Sequence, residues 1–458
     1  MNDKAATARL EAAPPRGFLD RSFRLSERAT SLPQELIAGA TTFAAMAYII
    51  AVNPAIMSNA GMDRGDLVIA TALAAIFGSV MMGLWANLPL AVAPAMGSNV
   101  IFTYVIVKQM GAPWQGALAR VAFTGLVFLV LSLSKLREKV AKDVPEALKV
   151  GIQAAVGTLI VFIGLRTAGF IVQSPSTFIA MGSLKSPPVI LTMLGILLTP
   201  ILVVRKVPGA LIIAIAAITL IGFFVPVSES KMVTQAPSAL MAWPKWPAGT
   251  FGQLDFKWLF SNFVLALPLL FYFVCAEFFS TLGTLIGVTG AANLRNPDGS
   301  IPNATAAFAT DATSSIVGPI LGTSVVTAYI ESITGVQAGG RTGLTSLTVA
   351  AFFVLSLFFW PIFVIVPPQA TAPALVLVGV LMMQGLARVD LSDLSNAIPI
   401  VLTLLVTVLT GNLINGMALG TLSLILILVS TGRAREISGV VWGLGVVFLA
   451  FFYVTTLI

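Results

Sequence analysis

The chain has 458 residues, of which 57% are hydrophobic and only 10% charged, and its mean hydropathy is +0.96. A soluble domain carries about 25% charged residues, so this composition excludes one and defines a polytopic α-helical membrane protein. One cysteine (Cys275) and no histidine exclude disulfide frameworks, thiolate–histidine catalysis and His/Cys metal sites within one chain, and the net charge of +7 is spread over loops, as topology rather than nucleic-acid binding requires.

Residues 1–34 are polar and bear prolines ("EAAPPRGFLDRSFRLSERATSLP"); lacking the apolar stretch of a signal peptide, they read as a cytoplasmic tail. Apolar runs then predict spans at 36–54, 66–86, 89–107, 113–134, 147–172, 188–204 and 208–226. They resume at 259–288, 303–319, 321–338, 343–366, 371–387, 396–412 and 415–431. A last apolar segment, 437–457, is either a further crossing or a surface-lying helix, and no appended soluble domain is expected. With the N-terminus inside, 18 of the 26 Lys and Arg fall on the cytoplasmic side and 8 outside, the bias expected of inner loops. For Arg433 and Arg435 to lie inside, 396–431 must cross twice, turning at "GNLING".

Fourteen spans are twice seven, and the halves are alike in plan. The third segment of each is interrupted: "LPLAVAPAMGSN" by Pro94 and Gly97, and "LGTSVVTAYIESITG" by a β-branched stretch of period two between Gly322 and Gly335. Short strands are therefore expected in spans 3 and 10. Non-helical backbone at membrane depth is tolerated only where protein or a wet cavity surrounds it. Matched interruptions in two halves point to a transporter's midplane site.

Few charges sit inside these spans, and each costs roughly 2.5–3.5 kcal/mol at mid-membrane. Glu277 opens the series Glu277, Ser280, Thr281, Thr284, one polar stripe on a helix. Packing of small residues fits Ser280 and Thr284 but leaves the carboxylate unexplained, so Glu277 is a candidate binding group. Glu331 is the only charge between Asp311 and Arg341; it is either a site residue or a brace for the break, accepting frayed N–H groups or pairing with Arg341. Two buried carboxylates also suit proton coupling. Asn99 follows the first break and is either a two-way hydrogen-bonding group or a helix N-cap. Asp311 reads as structural. Phe43, Tyr48, Phe273 and Tyr329 suit the faces of a flat ligand or ordinary packing, and "GGRTGLT" (339–345) reads as a cytoplasmic hinge, lacking the setting of a phosphate loop.

Five blocks, "ELIAGATTFAAMAYIIAVNPAI", "NLPLAVAPAMGSN", "STLGTLIGV", "GTSVVTAYIESITGVQAGGRTGLT" and "ATAPALVLVG", resemble in order the signature blocks of AzgA-like purine permeases. These transport guanine, hypoxanthine and adenine and are related to the nucleobase–ascorbate and uracil permeases. The similarity runs from "RGFLDRSFRL" to residue 431. It implies a seven-plus-seven inverted repeat with a core domain (35–134 and 258–366) and a gate domain (135–226 and 367–431). An extracytoplasmic loop (227–257) and a C-terminal apolar segment (432–458) complete the plan. The family's acidic position in span 8 falls on Glu277, its glutamate in span 10 on Glu331, and its asparagine in span 3 on Asn99. The family's usual "DLFDTVGT" is "EFFSTLGT" here, so Glu277 and Ser280 replace two aspartates, and Ala95 stands where a glycine is usual. These departures leave the preferred purine open.

The resulting expectation is a secondary transporter, not an enzyme, that imports a purine nucleobase with a proton into a cell across its inner membrane, with no cofactor beyond that proton. Its site would comprise Glu277, Glu331, Asn99, Ser332, Ser280, Thr281, Gly97, Ser98 and Phe273, with Glu277 and Glu331 as proton-coupling groups. Related folds pair as dimers through the gate. The rival is an anion carrier of the sulfate/bicarbonate type, which two carboxylates near the site disfavour. An intramembrane enzyme lacks candidate machinery, and saturable, proton-dependent uptake separates a carrier from a channel.

Overall fold

The computed structural model describes residues 17–133, 144–228, 231–296 and 300–457. Helices dominate, as the long apolar runs require. In chain order the first are α1 (Phe18–Phe23), α2 (Leu32–Met46), α3 (Ile49–Met57) and α4 (Arg64–Met81). Strand β1 (Val92–Pro94) then leads into α5 (Met96–Val100), which continues as a π-helical stretch, Ile101–Gln109. There follow α6 (Trp114–Leu133), α7 (Glu146–Thr167), hairpin β2–β3 (Ile171–Ser174, Phe178–Met181), α8 (Pro187–Val204), α9 (Ala210–Gly222) and hairpin β4–β5 (Pro226–Ser228, Lys231–Met232). After a long connection come α10 (Phe256–Ser261), α11 (Phe263–Ala291), α12 (Ala304–Leu321), β6 (Val326–Ala328) and α13 (Ser332–Gln337). The chain ends with α14 (Gly343–Ser356), α15 (Trp360–Val364), α16 (Pro368–Met383), α17 (Leu394–Thr410), α18 (Leu413–Ser430) and α19 (Gly439–Leu457).

Among the described residues, eight helices are long and apolar enough to cross a bilayer, joined by shorter apolar helices such as α9 and α17. The small hairpins β2–β3 and β4–β5 were not foreseen. Their side chains are largely exposed, so no burial pattern in the sequence announces them.

Two groups of helices pack among themselves: α2–α6 with α11–α15, and α7–α9 with α16–α18. Small residues bring helices close in both. A Cβ at Gly125 in α6 would lie 2.9 Å from the Ser315 backbone of α12, and one at Gly157 in α7 would lie 2.6 Å from the Gly379 carbonyl of α16. The last helix, α19, settles onto α18 and α11. It buries Val441, Leu444, Phe448 and Phe451 at helical spacing and exposes Trp442, Val446, Leu449 and Tyr453, so it is a packed apolar helix.

The "GGRTGLT" segment is tied down instead of free to hinge. The buried Glu35 carboxylate accepts the backbone N–H groups of Arg341 (2.8 Å), Thr342 (3.2 Å) and Thr345 (3.1 Å) and the Thr345 hydroxyl (2.6 Å). Arg28 donates to the carbonyls of Asn87 and Arg341, and Asn87 accepts the Gly343 N–H. Four donors converging on one carboxylate fix the loop, which a turn-propensity reading of the glycines does not reveal.

Candidate functional site

The two interrupted segments meet in the middle of the first helix group. Strands β1 and β6 pair antiparallel, Val92 opposite Ala328, Ala93 opposite Thr327 and Pro94 opposite Val326. The pairing continues through Tyr329 N–H to Ala91 O (2.9 Å) and Ala95 N–H to Val325 O (2.8 Å). A two-stranded sheet inside a membrane protein leaves two unpaired edges, each costly without water. Here side chains satisfy them. The hydroxyls of Ser346, Ser332 and Ser79 accept the N–H groups of Leu90 (2.8 Å), Ala91 (3.0 Å) and Val92 (3.1 Å). On the other edge Asp311 accepts the Ala328 N–H (2.8 Å) and Ser315 donates to Val326 O (2.9 Å).

Two polar clusters flank this sheet. In one, Asp311 of α12 also accepts the hydroxyls of Thr281 and Thr327, which lie 3.1 Å from each other. One turn before Thr281 on α11 is Glu277, only 2% exposed, and both of its carboxylate oxygens are buried without a hydrogen-bond partner. The Asp311 carboxylate and the Ser315 hydroxyl are the polar groups nearest to it, but the single Ser315 proton is donated to the Val326 carbonyl (2.9 Å) and so leaves Glu277 unbonded. A buried, unpartnered carboxylate is the costliest kind of polar group to retain. In the other cluster, Asn53 of α3 donates to Thr71 (2.6 Å) and Thr323 (2.9 Å) and accepts from the Asn99 amide. The Asn99 carbonyl oxygen and the nearby Thr103 hydroxyl are buried and unpartnered.

The expected site residues distribute unevenly around this centre. Glu277, Thr281 and Thr284 are buried on one face of α11, whereas Ser280 is turned to its exposed side. Phe273, one turn before Glu277, is fully buried in the main apolar cluster with Met96 and Tyr329. Asn99 is the fourth residue of α5 and not its N-cap; Ala95 holds that position and offers no side-chain cap. The first N–H groups of α5, at Met96, Gly97 and Ser98, therefore lack intrahelical partners. A Cβ at Gly97 would lie 3.3 Å from Val156 of α7 and 3.4 Å from Met382 of α16, so this break faces the second helix group.

Glu331 precedes α13, half-buried, and accepts the Tyr48 hydroxyl at 2.8 Å. It does not pair with Arg341, whose guanidinium donates to the carbonyls of Val336 and Gly340. Ser332 is committed to the Ala91 N–H. Tyr329 donates to the Pro94 carbonyl, and Phe43 stacks on Phe352 at 5.3 Å, so Tyr48, Tyr329 and Phe43 have structural partners. Asn53 and Ser315 were not singled out in the sequence. For Asn53 a signal existed, since an amide within the apolar stretch "YIIAVNPAI" is costly unless bonded; for Ser315 there was none. A cavity of about 310 Å³ lined by Thr167, Ser183 and Gln369 among others lies by the β2–β3 hairpin and contains none of these residues.

These features define a multi-pass membrane protein built on two interrupted spans that pair across its middle. The same fold occurs in the transmembrane domain of a cyanobacterium bicarbonate transporter, BicA, with a TM-score of 0.58 at 16% identity over 86% of this chain and 97% of that one. The Permease family model, Xan_ur_permease, matches residues 33–419, and the chain belongs to that family. It is 40% identical to the adenine permease AdeP of Escherichia coli (strain K12) over 423 residues, 92% of this chain and 93% of that protein. It is 39% identical to the guanine/hypoxanthine permease PbuO of Bacillus subtilis (strain 168) over 440 residues, 94% of this chain and 99% of that protein. Both relatives are named as permeases, that is, transporters.

Proposed function

We propose that this permease imports purine nucleobases of the adenine, guanine and hypoxanthine class by proton symport. The observation that carries the reading is Glu277: a carboxylate buried beside the paired breaks, with both oxygens free of partners. A purine edge presents adjacent N–H donors, and two such donors would satisfy that carboxylate while burying a flat apolar ring. The unpartnered Asn99 carbonyl and the N–H groups of Gly97 and Ser98 are further groups of the right polarity on the opposite break. The relatives named for adenine, guanine and hypoxanthine supply the substrate class.

In this reading the chain crosses an inner membrane fourteen times as a seven-plus-seven inverted repeat, N-terminus inside, with α19 as an additional apolar helix. The helix group carrying the breaks is the core and the other the gate, and the core moves against the gate to alternate access. Glu277 holds the purine. Glu331, half-buried and bonded to Tyr48, is the second candidate for the proton, with Thr281 and Ser332 supporting the break, Ser280 on the approach, and Phe273 fixing the helix turn below Glu277. The anion-carrier alternative is disfavoured because Glu277 and Asp311 together would repel an anion.

Uptake of radiolabelled hypoxanthine into cells expressing the chain tests the reading, with unlabelled guanine, adenine, xanthine, uric acid and uracil as competitors and a protonophore in a parallel set. Competition by purines and collapse with the protonophore is the expected result. Absence of uptake with the protein present in the membrane would sink the assignment, and protonophore-insensitive uptake would sink only its proton-coupled half.

A further inference from the structure

Arg120 has no place in the site as drawn, yet it is completely buried in α6, six residues past Trp114. An arginine near the end of a membrane helix ordinarily snorkels to water, but this one has 0% exposure and turns inward. It has no ion pair: those formed among the described residues involve Arg24, Lys149, Lys245 and Arg433. Its Nη1 donates to the Met110 sulfur at 3.8 Å, while Nε and Nη2 are buried without partners. Its guanidinium lies 5.7 Å from the Trp258 ring centre. Trp258 is itself fixed, its N–H capped by Asp255 (2.9 Å) and its ring against Gly116 of α6.

Met110 is the residue that closes the half-helix Met96–Gln109: its N–H donates to Val105 O (2.9 Å), and Ala112 N–H donates to Ile106 O (3.2 Å). The carbonyl end of that half-helix therefore points to the corner that holds Arg120. Aligned peptide dipoles give this end a partial negative charge, which a nearby cation stabilises, the more so away from water. The other end carries Gly97, Ser98 and Asn99.

We propose that Arg120 is a positioning residue for substrate: a buried counter-charge at the carbonyl end of the broken span-3 half-helix that holds the half-helix's opposite end in its binding position. The inference rests on the proposed function and deepens it. Retaining an unpaired buried cation is costly, and the cost is offset by the field of the half-helix and the face of Trp258. Arg120 does not touch the purine. It acts along the half-helix, by keeping its first turn oriented on the ligand.

The test compares Arg120→Lys, Arg120→Gln and the double variant Arg120→Gln with Met110→Lys, which returns a cation to the same helix end from a different residue. Membrane protein amount, KM and maximal rate of purine uptake, and purine Kd of the purified full-length carrier are measured. Arg120→Gln is expected to raise KM and Kd about three- to tenfold with maximal rate and protein amount near wild type. Arg120→Lys and the double variant should return both constants to within about twofold of wild type. Unchanged KM in Arg120→Gln overturns the inference, as does a double variant no better than the single. If Arg120→Gln does not accumulate, accumulation and near-normal KM of the double variant support the inference, and failure of both overturns it. Wild-type protein that takes up no purine refutes the proposed function, whereas normal wild-type uptake with unaltered variants refutes only the role of Arg120.

Discussion

Two carboxylates on neighbouring helices, Asp311 of α12 and Glu277 of α11, are both buried beside the same two-stranded sheet, yet their surroundings are opposite. Asp311 accepts three hydrogen bonds, one of them from the backbone of the second break. Glu277 accepts none. Glu35, at the N-terminal end of α2, repeats the Asp311 pattern with four donors. Burial is therefore common to all three acids, and the state of their hydrogen bonds is what differs. Asp311 and Glu35 each hold backbone in place, whereas Glu277 is the one that the proposed function assigns to a ligand.

Neutralising Glu277 should separate the two roles most widely. Glu277→Gln keeps the shape but presents an N–H₂ to one substrate donor, so one of two charge-assisted hydrogen bonds is lost and the other is weakened to a neutral one. Each is worth about 1.5–3 kcal/mol, which places the expected fall in purine uptake at about 100-fold or more. Because the carboxylate has no protein partner to orphan, the thermal unfolding midpoint of the solubilised protein should not fall. A variant that loses stability in step with uptake would make Glu277 another Asp311 and end the comparison.

Asp311→Ala is the converse. Thr281 and Thr327 can bond to each other across 3.1 Å, but the Ala328 N–H is left buried and unpaired next to a cavity. The expected loss is about 2–4 kcal/mol of stability, seen as less protein in the membrane, with the KM of the surviving carrier close to wild type. A raised KM at normal protein amount would instead move Asp311 into the binding site.

Glu35→Gln should cost less, about 1–2 kcal/mol, since one carbonyl oxygen remains to accept while the new amide faces N–H donors. Proteolysis at the 338–345 loop is the sensitive readout. Faster cleavage with unchanged KM is expected, and unchanged cleavage would show that Arg28 and Asn87 suffice to hold the loop.

How much of this was legible beforehand depended on whether the deciding information lies in one segment or between segments. Glu277 and Glu331 stood out because a single charge in an apolar run is visible locally. The strand character of "TSVVTAYIES" was visible for the same reason, and β6 lies within it. The partners were not visible. The sequence leaves Asp311 as a structural acid, but that it anchors Ala328 depends on a chain reversal seventeen residues long. Glu35 gave no local signal, because its four donors lie more than 300 residues away. For Asn99 the sequence leaves a cap and a hydrogen-bonding group open, because the exact start of α5, at Met96, is set by β1–β6 pairing and not by local propensity. Hydropathy likewise could not decide the fate of 437–457, since burial of Phe448 comes from packing on α18 and α11.

Asp63 completes the series at its weak end, a carboxylate that is bonded but wet. It caps α4 by accepting the Asp66 N–H (2.8 Å) and lies 3.4 Å from Lys245, which also meets Asp66 at 2.9 Å. Partial burial alone would raise the Asp63 pKa, but the Asp66 N–H and the Lys245 charge outweigh it and hold the carboxyl below its usual value. For Lys245 burial would lower the pKa, and its hydrogen bond and charge pairing with the two aspartates raise it instead. A depressed acid stabilises the fold above its unfolded pKa of about 3.9 and loses that contribution as pH falls through the folded value; a raised lysine contributes below about 10.4 and loses it as pH rises further. Between about pH 5 and 9 both contributions are therefore constant. With most of the Asp63 side chain in water, solvent screening limits the pair to less than about 1 kcal/mol. Asp63→Asn should thus lower the unfolding midpoint only slightly at pH 7, leave uptake unchanged, and make the decline of stability below about pH 4 shallower than in wild type. An Asp63→Asn carrier that loses uptake at neutral pH would break the rule drawn from Asp311 and Glu277, because a saturated acid would then have proved functional.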